Sequence, residues 1–343
     1  MSWENINPKE ELEQMVRENG GWVNSHAHID RSYIINRNNW AKTGDSLQAK
    51  WSHTDQFKAS SSIETIAGHM SRVIEGQLAQ GAQALGSFID CDSVVKDKNL
   101  KAAELVKERY GRDIELVFMN QPIKGLVDPL ERAWFEEAAE FVDIIGGLPE
   151  RDGNPGEKND RSDEHFDIIF DLAKRLGKPL HIHVDQMNDP SQRDTERAIQ
   201  KTRQHEYMGK VTLIHCISLA AQPKEYREEM YRYLAGQDIG VISCPTAWID
   251  CRRNEILAPT HNSITPVEEM TEAGVRVAIG TDNIADIYKP FSDGDMWTEL
   301  KFLLEATHYY DLQQLSRIAT TNGLRTLHLP SENDIEVSSA IAA

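Results

Sequence analysis

Two histidine pairs have i, i+2 spacing: His26 and His28 in HAHID, and His181 and His183 in HIHVD. On a strand, residues two apart point the same way, so one metal ion can take both imidazoles of the first pair. His183 and Asp282 can complete the shell from two other segments. An ion bound by three histidines and an aspartate keeps a position open for water. It lowers that water's pKa and yields hydroxide near neutral pH. His215 is a further histidine able to handle protons beside it. Each residue alone also has a structural explanation. Two partly buried histidines can be satisfied by backbone groups, and Asp282 can cap a helix N-terminus. His181 reads as a hydrogen-bonded residue one layer deeper than His183. The argument for a metal rests on joint placement at the ends of predicted strands, where unpaired ionisable groups are costly to bury.

Eight short apolar runs, rich in β-branched residues and bounded by turn residues, supply those strands. They are Gly21–Ile29, Gln83–Cys91, Ile114–Gln121, Val142–Leu148, Pro179–Asp185, Val211–Cys216, Ile239–Pro245 and Arg276–Asp282. Helical periodicity fills the gaps, at Ile63–Gln80, Lys101–Tyr110, Glu131–Glu140, His165–Leu176, Thr195–His205, Lys224–Ala235 and Pro266–Ala273, and later at Asp295–His308 and Leu312–Leu324. Gly177 stands where a left-handed helix stop belongs. Most runs start about 30 residues apart, the size of one strand–helix unit. Eight such units predict an α/β fold, a (β/α)8 TIM barrel whose active-site face gathers the carboxyl ends of the strands. His26, His28, Gln121, His183, Asp185, His215 and Asp282 all fall at those ends. A doubly wound open sheet would give the same alternation. The first gap holds Asp30 to Ser62, a long polar stretch with Trp40 and Trp51, which either closes over a ligand or decorates the surface. The expected organisation is an N-terminal helical extension over 1–20, the barrel over 21–329 and a flexible tail over 330–343.

Composition excludes several functions. Across 343 residues, 37 Lys and Arg oppose 55 Asp and Glu, a formal charge of −18. Nucleic-acid and anionic-membrane partners need a basic face. No apolar stretch is long enough to span a bilayer, and the acidic, polar start is unlike a secretory signal. The four cysteines, Cys91, Cys216, Cys244 and Cys251, form no CxxC pair. Reduced thiols in a cytoplasmic protein are expected, with Cys216 and Cys244 as small core residues. His53, His69, His165, His205, His261, His308 and His328 receive no role.

HAHID (26–30), HIHVDQ (181–186), LIHC (213–216) and GTDN (280–283) together resemble the amidohydrolase superfamily. FMNQPIKGL (118–126) and VDIIGGLPE (142–150) resemble its cytosine deaminase branch. GTDNIADIYKPFSDGDM (280–296) is similar to the same region of the N-isopropylammelide aminohydrolase-like members. The resemblance runs from about Trp22 to Leu329. It implies a (β/α)8 barrel with one divalent metal ion, commonly zinc or iron. The ligand types would suit manganese too. The implied reaction is hydrolysis of an amino or substituted-amino group from a small nitrogen heterocycle. By that resemblance His26, His28, His183 and Asp282 match the metal ligands, and Asp282 also the carboxylate that takes a proton from water. His215 matches the histidine that assists at the tetrahedral centre, and Gln121 the glutamine that binds the ring. Tyr288 falls where an aromatic residue lines the pocket. Asn283 is expected to orient Asp282 or touch substrate. Relatives often assemble, so a homo-oligomer is admitted.

Two features depart from that pattern. The deaminases carry Glu three positions after the fifth-strand histidine, and here the residue is Gln186. An amide donates and accepts hydrogen bonds but cannot exchange a proton at neutral pH. Gln186 is therefore expected to stand in the catalytic set with Asp282 and His215 and to read the ring edge, on a substrate whose carbon is already electrophilic. Neither end carries the repeated short strands of the accessory β-sandwich found in many relatives. The leading expectation is a deaminase-like hydrolase. A cyclic amide hydrolase that opens the ring is the first rival, and a non-catalytic barrel the second. Arg151, Arg252 and Arg253 in rim loops either bind an anionic substituent or are solvated.

Overall fold

The computed structural model describes residues 5–153, 158–247 and 264–330. Cys251, Arg252, Arg253, His261 and the tail from Ser331 lie outside these residues. Every predicted run coincides with a strand, β2 starting one residue earlier than expected: β1 (Trp22–Ala27), β2 (Ala82–Asp90), β3 (Glu115–Gln121), β4 (Ile145–Gly147), β5 (Leu180–Val184), β6 (Val211–His215), β7 (Gly240–Ser243) and β8 (Val277–Ile279). Nearly all of their residues are buried, as strands packed on both faces must be. Among the described residues no other strand is present.

All pairings are parallel. The strands follow sequence order, β1-β2-β3 in one sheet and β4 through β8 in a second. Isolated parallel bridges join Met119 to Ile144 and Ala27 to Asp282, linking the sheets at both margins. Sequential order differs from the reversed order of a doubly wound sheet and is consistent with the (β/α)8 barrel superfamily. One apolar cluster lies between strands and surrounding helices. A second draws Val23, Ala84, Val117, Ile214, Ile242 and Ala278 from strands of both sheets. Leu324 and Leu327 from the chain's last described turns join it.

Helices occupy the predicted gaps, with local causes for their ends. Ser62 caps Ile63–Ala79 by accepting from the Thr65 amide at 3.2 Å. Gly177 ends Ser162–Leu176 at φ +70°, a conformation that favours glycine. One expectation needs correction: Leu312–Leu324 is two helices, Leu312–Ala319 and Thr321–Thr326, broken at Thr320. The N-terminal stretch contains a helix, Pro8–Glu18, whose Leu12 and Val16 enter the core. No helix among the described residues is long and apolar enough to cross a membrane.

Two positions require glycine for close approach. A Cβ on Gly280 would meet the His26 backbone nitrogen at 2.8 Å and oxygen at 2.7 Å, where β8 passes β1. A Cβ on Gly146 would meet the Asn120 carbonyl oxygen at 2.0 Å, where β4 passes β3.

Candidate active site

The polar residues at the strand ends converge. Val23 and Ser25 of β1 both face Gly323 on the helix Thr321–Thr326, yet the next residue, His26, turns its ring toward His183. A bulge makes this possible: the three-residue step from Asn24 to Ala27 lies opposite the two-residue step from Leu85 to Ser87 on β2. His26 and His28 then approach Asp282 Oδ1 with their Nε2 atoms at 3.4 and 3.2 Å. The His183 ring centroid lies 4.9 Å from that of His26, and that of His215 lies 5.5 Å from His183. Phe88 supports the group from below, 4.5 Å from His183 between ring centroids. Two members of the cluster carry backbone strain. His215 and Asp282 both have left-handed backbones, φ +77° and +57°. Such non-glycine conformations cost about 1–3 kcal/mol each and cluster at functional sites.

The arrangement suits a cation. Donor atoms of His26, His28 and Asp282 lie within 4.8 Å of one another, as do those of His26, His183 and His215. His183 Nδ1 contacts the Gly147 carbonyl at 3.2 Å, which directs its Nε2 inward. That Nε2 is buried without a hydrogen-bond partner, as are both ring nitrogens of His26. Burial depresses His26, His28 and His215 to about 4, and His183 well below its usual range. Burial alone would raise the Asp282 carboxyl, but its contacts with His26 and His28 outweigh that and hold it well below the carboxylate range. Neutral imidazoles around an ionised carboxylate are the protonation states a metal requires. Buried polar atoms ordinarily find partners, so these orphaned nitrogens fit a divalent ion.

Above the cluster is a small pocket with about 30 Å³ of free volume. Gln121, Gln186, Asn283 and Tyr288 all line it. The Gln121 amide oxygen is buried without a partner. The Gln186 amide donates to Glu150 at 3.1 Å. Asn283 donates to Asp286 at 2.6 Å. Asp185 stays out of the cluster. Its carboxylate accepts from the Asp194 and Thr195 amides at the start of the helix Asp194–Gln204. His181 sits deeper, bonded to the Thr326 carbonyl at 2.7 Å. Cys216 and Cys244 are buried core residues.

Sequence reasoning missed several residues around this pocket. The stretch after β1 covers it: Leu47 and Trp51 line the cavity, whereas Trp40 is exposed. Lys58 anchors that cover through ion pairs to Asp92 at 2.5 Å and Asp90 at 3.3 Å. Arg31 lines the pocket and pairs with Asp90. Lys289 donates to the Thr281 carbonyl at 2.5 Å and pairs with Glu299 at 3.2 Å, bracing the residue before Asp282. The signals were charged residues beside recognised motifs, Arg31 after HAHID and Lys289 after Tyr288.

Comparison with known proteins places the chain among relatives. The Amidohydrolase family model matches residues 126–334. An uncharacterized protein of Haemophilus influenzae is 42% identical over 255 residues, covering 73% of this chain and 90% of that protein. N-isopropylammelide isopropyl amidohydrolase of Pseudomonas sp. (strain ADP) is 24% identical over 332 residues, covering 92% and 76%. The crystal structure of 5-methylcytosine deaminase from Klebsiella pneumoniae with 5-fluorocytosine superposes with a TM-score of 0.82 at 26% identity. It covers 90% of this chain and 74% of that one. Agreement over so much of the chain, on the fold that gathers its histidines, reflects common descent: this protein belongs to the amidohydrolase family and is related to its cytosine deaminase and N-isopropylammelide aminohydrolase branch.

Proposed function

We propose that this chain is a metal-dependent hydrolase that releases an exocyclic amino or substituted-amino group from a small nitrogen heterocycle. The eight strands form a closed (β/α)8 barrel in this reading. His26, His28, His183 and Asp282 hold one divalent ion, zinc, iron or manganese. When bound, such an ion supplies Lewis acidity that lowers the pKa of water and polarises the bond under attack.

The protein's own residues carry the remaining work. Asp282, ionised and buried, accepts a proton from the attacking water and returns it toward the leaving nitrogen. His215 hydrogen-bonds the tetrahedral centre as charge develops there. Gln121, with an unsatisfied amide oxygen, reads a donor on the ring edge. Gln186, restrained by Glu150, and Asn283 add polar contacts, and Tyr288 stacks or packs on the ring. The cover carrying Leu47 and Trp51 lines the pocket and closes over the bound ring. Its closure then excludes bulk water.

The observation that carries this reading is the convergence of His26, His28 and His183 about the Asp282 carboxylate, with His183 Nε2 and both His26 ring nitrogens lacking a hydrogen-bond partner. The activities named for the relatives support the reaction class. Elemental analysis of purified protein should give one equivalent of a divalent metal, lost with turnover in His183→Ala. A screen of amino-substituted pyrimidines and triazines should release ammonia or a free amine. Protein that binds no metal under saturating supply would refute the proposal. Appearance of a new carboxylate instead of an amine would assign ring opening.

A further inference from the structure

Lys289 has no part in the reaction described above, yet it is buried against the residue before Asp282. It follows Tyr288 in the loop after β8 and is 1% exposed. Its Nζ donates to the Thr281 carbonyl at 2.5 Å and pairs with Glu299 Oε1 at 3.2 Å. Glu299, on the helix Met296–Thr307, is buried as well. Its carboxylate accepts from the Thr246 hydroxyl at 2.6 Å and from the Thr246 amide at 3.0 Å. Thr246 follows β7, and the next residue, Ala247, lines the pocket. The Asp286 carboxylate accepts from the Tyr288 and Lys289 amides at 2.8 and 3.0 Å. One buried ion pair thus ties Thr281 to the turn bearing Tyr288 and to the pocket wall after β7.

The tie falls where the sheet cannot hold its own end. Ser243 of β7 pairs with Ile279 of β8, and the Gly280 amide donates to the Ser243 carbonyl at 3.0 Å. Carried on by two residues, that register sets Pro245 beside Thr281, and proline has no N–H to offer. Among the described residues no backbone amide reaches the Thr281 carbonyl. On the other side, the Thr281 amide donates to the Asn24 side chain at 3.1 Å and the Asp282 amide to the His26 carbonyl at 2.9 Å. Asp282 then turns left-handed at φ +57°, a shape that persists only where the surroundings impose it. The Lys289 ammonium completes that grip from the side β7 leaves open. A buried ion pair can often be replaced by apolar groups of similar volume without loss of stability, so stability alone does not explain this one.

We infer that Lys289 is a positioning residue for Asp282. By holding the Thr281 carbonyl it fixes the peptide from which the carboxylate projects, and so aims Oδ1 at the imidazoles of His26 and His28. Glu299 sets where the ammonium stands, and through Thr246 it gives the pocket wall after β7 the same frame. The inference rests on the reading of Asp282 as metal ligand and proton acceptor given above.

The test uses protein loaded with Co(II), whose visible absorption reports the geometry of its ligands. In a Lys289→Met, Glu299→Gln double variant both charges go together, so no buried ion is left unpaired. This variant should still take up cobalt, with absorption bands displaced from those of wild type. On a ring that wild type hydrolyses, kcat should fall about ten- to a hundredfold, the cost of a misplaced catalytic group, while KM stays within about threefold. Thr246→Val keeps both charges and loosens one end of Glu299. It should show the same changes on a smaller scale, and it decides the matter if the double variant does not fold. Cobalt bands and kcat identical to wild type in the folded variants, with only a lower melting temperature, would overturn the inference and leave Lys289 a brace for stability. The parent reading fails differently. Wild type that takes up no cobalt removes the metal site and this inference with it. Wild type that takes up cobalt and hydrolyses no ring removes the hydrolase assignment, and the displaced bands still decide what Lys289 does.

Discussion

At the residue scale, Gln186 is the most informative position. Its amide donates to Glu150 Oε2 at 3.1 Å, so a carboxylate holds Gln186 in place at the position where the motif resemblance implies a glutamate. Restoring the carboxylate by Gln186→Glu puts two acids at hydrogen-bond distance, and one of them must take up a proton well above the usual carboxylate range. The variant should bind metal normally, lose some stability and show a new titration in its pH–rate profile. A profile and rate identical to wild type would mean that Gln186 neither transfers nor blocks a proton. The spacing argument for HAHID holds at this scale too: His26 and His28 do face the same way. Which way they face was not contained in that spacing, because the bulge at β1 reverses the parity set by Val23 and Ser25.

Elements position these side chains by close approach. Gly280 lets β8 pass β1 so nearly that the Asp282 amide reaches the His26 carbonyl at 2.9 Å. Gly280→Ala would drive a methyl into the His26 backbone, and β1 must yield. We expect destabilisation of about 3 kcal/mol together with weakened metal affinity, measured by denaturant titration and by metal competition with a chelator. Full affinity with unchanged stability would show that the strands can separate there without cost. The covering stretch between β1 and the helix Ile63–Ala79 shows the limit of composition. Its length and polarity fitted a surface loop and a lid equally. Trp51 and Leu47 in the pocket wall, and Lys58 buried among aspartates, make it a cover.

At the scale of the whole molecule, stability and pH are linked through buried neutral histidines. His165 accepts from the Leu148 amide through Nε2 at 3.0 Å and contacts Asp152 through Nδ1 at 2.7 Å, which fixes the neutral tautomer. Burial lowers its pKa despite the Asp152 carboxylate. The unfolded chain then takes up a proton near pH 6.5 that the folded chain refuses. The stabilisation is complete above that pH and declines as pH falls below it. Asp152 acts in the same direction at lower pH. Burial would raise it, but His165 and the Leu126 and Val127 amides hold it below its usual value, so its contribution is lost as acid protonates it. The stability difference between wild type and His165→Gln should therefore narrow as pH drops from 7 to 5. A gap that stays constant over that range would rule out this linkage.

The eight strands and the ionisable residues at their carboxyl ends were legible in the sequence, because burial on both faces forces apolar runs and makes polar interruptions conspicuous. The motifs carried family membership for the same reason: local order survives in linear text. Tertiary structure alone decided the rest. The β1 bulge, the Glu150 contact to Gln186 and the meeting of Lys289, Glu299 and Thr246 join residues far apart in the chain. Their encounter depends on how strands close beside one another and how the loops beyond them fold back, which no local spacing encodes.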